Sequence, residues 1–102
     1  MKQNRKDKLP IITEENEHEY WIEFRKNLSP RIREAIVKKY APLVKYAANK
    51  INISTKNIRD IEFEDLVGFG SFGLLDAIDR YDPNKDVKFK TYALTRIMGS
   101  IY

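Results

Sequence analysis

The chain has no cysteine, a single histidine and a single tryptophan. Without cysteine there is no disulfide framework and no thiolate site, which suits an intracellular protein. The lone histidine, His18, stands among Glu15, Glu17 and Glu19. An imidazole among solvated acids reads as surface rather than as a metal ligand, so neither a metal nor a cofactor is expected. Long apolar runs are missing too. The longest, Leu66 to Leu75, is interrupted by glycines and Ser71 and falls well short of the roughly 20 residues a membrane-crossing helix needs. The basic opening MKQNRKDKLPII leads into only a short apolar group, unlike the hydrophobic stretch of a signal peptide. The expectation is a protein of the cytoplasm with no membrane partner.

What is present amounts to one small domain. The 102 residues carry a formal net charge of +4, a modest basic bias compatible with a polyanionic partner. Both ends are the basic parts: Lys2, Arg5, Lys6 and Lys8 stand against Asp7, and Lys85, Lys88, Lys90 and Arg96 against Asp86. Residues 1–12 read as a flexible basic tail, because their few apolar groups cannot offset the entropy of ordering them. Residues 13–102 read as a single helical domain.

No segment alternates like a strand, and the expected fold is all-α. A short helix follows the capping residue Thr13, has acids in its first turn and ends near Asn27. Ser29-Pro30 starts a long helix, with Ile32, Ile36, Val37, Tyr40, Leu43, Val44, Ala47 and Ile51 on one stripe. Pro42 should kink or break it, and residues 52–60 read as a loop. A third helix spans about Asp60 to Tyr81 and is stopped by Asp82-Pro83. After a polar turn, Phe89, Ala93, Ile97 and Ile101 recur every four residues along a last helix.

Gly68, Gly70 and Gly73 spell G-x-G-x-x-G, the spacing of phosphate-binding loops. A dinucleotide loop needs a buried strand before the glycines, where this chain has acids, and a kinase loop needs catalytic motifs that the remaining residues cannot hold. The alternative is that all three glycines lie inside a helix, at a total cost of about 3 kcal/mol against alanine, and serve close contact. Projection at 100° per residue puts Leu66, Gly70, Gly73, Leu74, Ala77 and Tyr81 on one face, the core face. Asp65, Gly68, Phe72, Leu75 and Asp79 fall opposite. Either that second face has a partner outside the domain, or the helix bearing Trp21 covers Phe72 and Leu75.

In the last helix Tyr92, Arg96 and Gly99 share a side flanked by Lys88 and Lys90. An aromatic ring beside cations is how single-stranded nucleic acid is held. A solvated face with a snorkelling arginine has the same pattern. Phe89 belongs to the core under both. No nucleophile has a base beside it, and the carboxylates of Asp76 and Asp79 read as surface charge, so the chain is not expected to be an enzyme.

Three stretches in order, YAPLVKYAANKI, FEDLVGFGSFGLLDAIDRYDP and VKFKTYALTRIMGSI, carry a resemblance. Over about residues 19–102 the chain resembles the helical second domain of bacterial RNA polymerase sigma factors of the sigma-70 family, of the alternative flagellar and sporulation type. The resemblance implies a bacterial cytoplasmic protein that binds core RNA polymerase and promoter DNA in transcription initiation.

Carried over by position, the residues docking on the clamp helices of the polymerase's largest subunit would be Asp65, Leu66, Gly68, Phe69, Ser71 and Leu75. The family often has longer polar side chains where this chain has Gly68, Phe69 and Ser71, which implies a more apolar contact anchored by Asp65. By the same resemblance Lys88, Phe89, Thr91, Tyr92 and Arg96 would meet the melted promoter's non-template strand, with Tyr92 stacking on a base. Primary sigma factors have a tryptophan pair where Thr95 and Arg96 stand, which implies weaker intrinsic strand opening here. The family's promoter-reading helix continues past the point where this chain ends, and its helix-turn-helix domain has no counterpart. The implied alternatives are the N-terminal part of a longer factor, or a short chain acting only through protein as a decoy for the clamp or for an anti-sigma factor.

Overall fold

The computed structural model describes residues 8–55 and 61–102. Residues 1–7 of the tail expected over residues 1–12, and residues 56–60 of the loop expected over residues 52–60, lie outside the described residues. Among the described residues there are four α-helices and no strand: α1 Glu17–Asn27, α2 Pro30–Thr55, α3 Phe63–Arg80 and α4 Phe89–Ile101. Contacts cluster into two units, one up to Lys39 and one of Tyr40–Tyr102. No described helix is long and apolar enough to cross a membrane.

In the first unit, α1 is preceded by a reciprocal cap. The Thr13 N–H donates to Oδ1 of Asn16 at 2.8 Å, and the Asn16 N–H donates to Oγ1 of Thr13 at 3.3 Å. This is the geometry of a capping box, with asparagine in the place usually held by Glu or Gln. Trp21 and Phe24 are buried and meet edge to face, with centroids 6.1 Å apart. The Trp21 indole N–H donates to Glu17 at 3.0 Å, and the same carboxylate takes Lys39 Nζ at 2.6 Å, so the buried tryptophan's polar atom is satisfied. Leu28, at φ 53°, ends α1 in the left-handed region. Ser29 then starts α2 as its Oγ accepts the Ile32 N–H at 3.3 Å.

Helix α2 does not break at Pro42. It runs through the proline to Thr55 and takes in residues 52–55, which the sequence assigned to a loop. Pro42 is exposed, so the carbonyl left without its helical partner is on the side open to water, which lowers the penalty. Within the second unit, Val44, Ala47, Ala48 and Ile51 form the buried stripe of α2.

Helix α3 begins at Phe63, later than the sequence reading, with Glu64 and Asp65 in its first turn. Gly68, Gly70 and Gly73 all lie inside it, so no glycine loop opens a helix and the phosphate-loop pattern has no structural counterpart. Leu66, Gly70, Gly73, Leu74, Ala77 and Ile78 are its buried residues. A Cβ on Gly73 would lie 2.6 Å from the Arg96 carbonyl oxygen and 2.8 Å from the Ile97 Cα, distances that real Cβ atoms do not adopt. Gly70 is packed by Val44, Ile97 and Ile101, the closest atom lying 3.0 Å from where a Cβ would be. The helix propensity given up at these two positions is therefore spent on backbone proximity to α4.

The turn between α3 and α4 is tied internally. Asn84 N–H donates to Oδ1 of Asp82 at 2.9 Å, and the Tyr81 hydroxyl spans the turn to the Val87 carbonyl at 2.6 Å. Phe89, Ala93, Ile97 and Ile101 are the buried residues of α4, as their spacing predicts. The Phe89 ring meets Tyr40 and Tyr81 edge to face, with centroids at 4.8 and 5.1 Å. The Ser100 hydroxyl donates to the Phe69 carbonyl at 2.7 Å, a polar stitch along the seam.

Candidate functional site

Helix α3 has one face buried and one open. On the open face stand Asp65, Gly68 and Phe72, with Leu75 half-buried at its border and Phe69 on the flank toward α4. Phe72 is 71% exposed and Phe69 is 44% exposed. A Cβ built on Gly68 meets nothing within 4 Å, so the backbone is bare on this side. Ser71 is half-buried and its hydroxyl donates back to the Val67 carbonyl at 2.8 Å, which leaves the middle of the face apolar. A helix that presents aromatic area outward beside an acid, while its other face is satisfied in the core, has the form of a docking surface.

Of the residues expected to dock, Asp65, Gly68, Phe69, Ser71 and Leu75 lie on or beside this face. Leu66 does not: it is 2% exposed and faces the core, as the helical projection places it, so it cannot present its side chain to a partner. Phe72, the most exposed large hydrophobic side chain of α3, was on the projected face but outside the set carried over by position. Its signal was the period of the helix rather than the motif.

The second group lies at the start of α4. Lys88 is the extended N-cap residue, and Lys88, Lys90 and Thr91 are exposed. Tyr92 is half-buried, its ring 5.6 Å from that of Tyr81. The Arg96 guanidinium lies over Tyr92, with Cζ 5.3 Å from the ring centroid. Phe89 is 3% exposed, so a base could not reach its ring without opening the core. Its ring is instead packed against those of Tyr40 and Tyr81.

The sequence reading set Asp76 aside as surface charge, yet it joins the two helices. Its Oδ1 accepts the Arg80 Nε–H at 2.7 Å, and its Oδ2 lies 3.1 Å from Arg96 Nε. The pairing with Arg80, one turn away, was legible in the spacing. The pairing with Arg96 depends on how α3 and α4 pack and was not. The hydrogen bond from Arg80 to Asp76, and then the carboxylate's charge, hold the Arg80 guanidinium above its ordinary value. A raised basic group loses its contribution only as pH climbs past that ordinary value, so the Arg80 guanidinium stays charged throughout the neutral range.

Among the described residues no group of three or more His, Asp or Glu side chains is arranged to hold a metal ion. The arrangement suits binding: an apolar face with an acidic end on α3, and cations around an aromatic ring on α4.

Residues 36–102 match the family model described as Sigma-70 region 2. The chain is 33% identical over 81 residues to the RNA polymerase sigma-D factor of Bacillus subtilis (strain 168), covering 79% of this chain and 31% of that protein. It is 39% identical over 71 residues to the RNA polymerase sigma-F factor of Kitasatospora aureofaciens, covering 70% of this chain and 22% of that one. Similarity to the RNA polymerase sigma factor FliA of Salmonella typhimurium is 35% over 69 residues, 68% of this chain and 28% of that protein. The chain thus spans less than a third of the length of each of these curated relatives.

Proposed function

The chain belongs to the sigma-70 family of RNA polymerase sigma factors, and from that premise we propose that it binds core RNA polymerase and contacts promoter DNA in transcription initiation. The open face of α3 docks on the clamp helices of the polymerase's largest subunit. Asp65 pairs with a basic side chain there, and Phe72 and Phe69 bury their exposed rings. The start of α4 meets the unpaired non-template strand: Lys88 and Arg96 serve phosphates and Tyr92 offers its ring to a base, with Thr91 beside it. Phe89 acts from the core by fixing where Tyr92 stands. The chain works by binding, in keeping with relatives that are sigma factors rather than enzymes, and we assign it no reaction.

The observation that carries this reading is the exposure of Phe72 on a helix whose opposite face is fully buried. A ring of that size left in water on an ordered helix is accounted for by a partner. The test is fluorescence anisotropy of the chain against the isolated clamp helices, comparing it with Asp65→Arg and Phe72→Ser. Each substitution should weaken binding at least about tenfold. Affinity unchanged by both would overturn the docking assignment, and clamp binding without affinity for single-stranded DNA at low salt would leave only the protein half standing.

A further inference from the structure

Neither contact surface explains the polar seam between α3 and α4. Asp76 meets two arginines there, and the two pairings differ. Arg80 makes a directed hydrogen bond to Oδ1 at 2.7 Å within its own helix, with both side chains largely in water. Arg96 reaches across from α4; its Nε lies 3.1 Å from Oδ2, yet that buried nitrogen has no hydrogen-bond partner. Charge rather than a directed bond holds it. The same guanidinium lies over the ring of Tyr92, whose other aromatic neighbour is Tyr81. The ring offered to a base and the cation placed for its phosphate are therefore occupied with each other.

We propose that Asp76 is an internal competitor for nucleic acid: it keeps Arg96 docked over Tyr92 in the free protein, and a single strand must draw Arg96 away before a base can stack. This rests on the reading that α4 meets DNA. A phosphate and a carboxylate are alternative acceptors for the same planar donor. Leaving Asp76 gives Arg96 Nε the hydrogen bond it lacks, to phosphate or to water. Arg80 stays behind, so the carboxylate is not stranded. Binding then includes an opening step, and apparent affinity is reduced by the fraction of molecules that are closed. Asp76 is a positioning residue, acting through Arg96 without touching the strand.

The test is anisotropy of a short fluorescein-labelled single strand of mixed DNA sequence, titrated with the chain over a series of salt concentrations. Asp76→Asn keeps the side chain's shape and removes its charge. It should tighten binding by about three- to tenfold and leave the log–log salt slope unchanged, because Arg96 meets a phosphate in both complexes and only the closed population of the free chain differs. Glu64→Gln changes the net charge equally from an exposed position at the start of α3 and should tighten binding less than about twofold. The gain from Asp76→Asn should vanish in an Arg96→Gln background and persist in an Arg80→Gln background. Equal shifts for Asp76→Asn and Glu64→Gln, or a gain that survives Arg96→Gln, would overturn the competition and leave the DNA contact standing. No binding by any variant at low salt, each retaining its helical circular dichroism, would overturn the DNA reading and the competition with it.

Discussion

Gly73 and Gly68 sit in the same helix and face opposite ways. At Gly73 an added methyl group would collide with the backbone of α4, whereas at Gly68 it would meet nothing. The two aromatic rings Phe89 and Phe72 make the same contrast, one 3% exposed between two tyrosines and the other 71% exposed. Side-chain type does not separate these pairs; the direction each residue faces does. Inward, a glycine sets the distance between helices and a phenylalanine fills the space that results. Outward, the same residues leave a bare backbone and an unburied ring, features that the packing of α3 against α4 does not use.

The contrast gives measurable expectations. The largest is for Phe89→Ala, which should cost about 3–5 kcal/mol in urea denaturation, because it empties the centre of the Tyr40, Tyr81 and Phe89 cluster. Gly73→Ala comes next: the overpacking against Arg96 and Ile97 should outweigh the propensity gain and leave a net loss of about 2 kcal/mol. A Gly73→Ala chain as stable as the native one would break the claim that the inner glycine sets helix spacing. Gly68→Ala should reverse the sign and stabilise by up to about 1 kcal/mol in the same assay. Its affinity for the clamp helices should nevertheless fall if the bare backbone is used for close approach. The smallest stability effect is for Phe72→Ser, within about 0.5 kcal/mol of native, although it should weaken clamp binding. A large loss of stability there would mean that the ring belongs to the fold rather than to a partner.

Much of this was legible from periodicity. The buried faces of α3 and α4 follow from spacing alone, and Ser29-Pro30 and Thr13 marked where chain turns into helix. Where motif resemblance and helical period disagreed, the structure followed the period: Leu66 and Phe89, carried into contact sets by position, are core residues. Of the kink or break expected at Pro42 there is no break: the proline costs one hydrogen bond, while a long helix with a buried stripe on either side of it retains the rest. The attachment of Arg96 to Asp76 was illegible for a different reason. It joins residues on two helices, and no spacing within either helix states how the two are rotated against each other.

The Tyr81 hydroxyl bond across the turn also bears on time. It holds the ends of α3 and α4 together, so contacts such as those of Gly70 and Gly73 with Ile97 close only a short loop of chain. Pairings so near in sequence form early and re-form quickly after fluctuation, the regime in which helical proteins fold in microseconds to milliseconds. The seam between α3 and α4 therefore rests on contacts that are local in sequence.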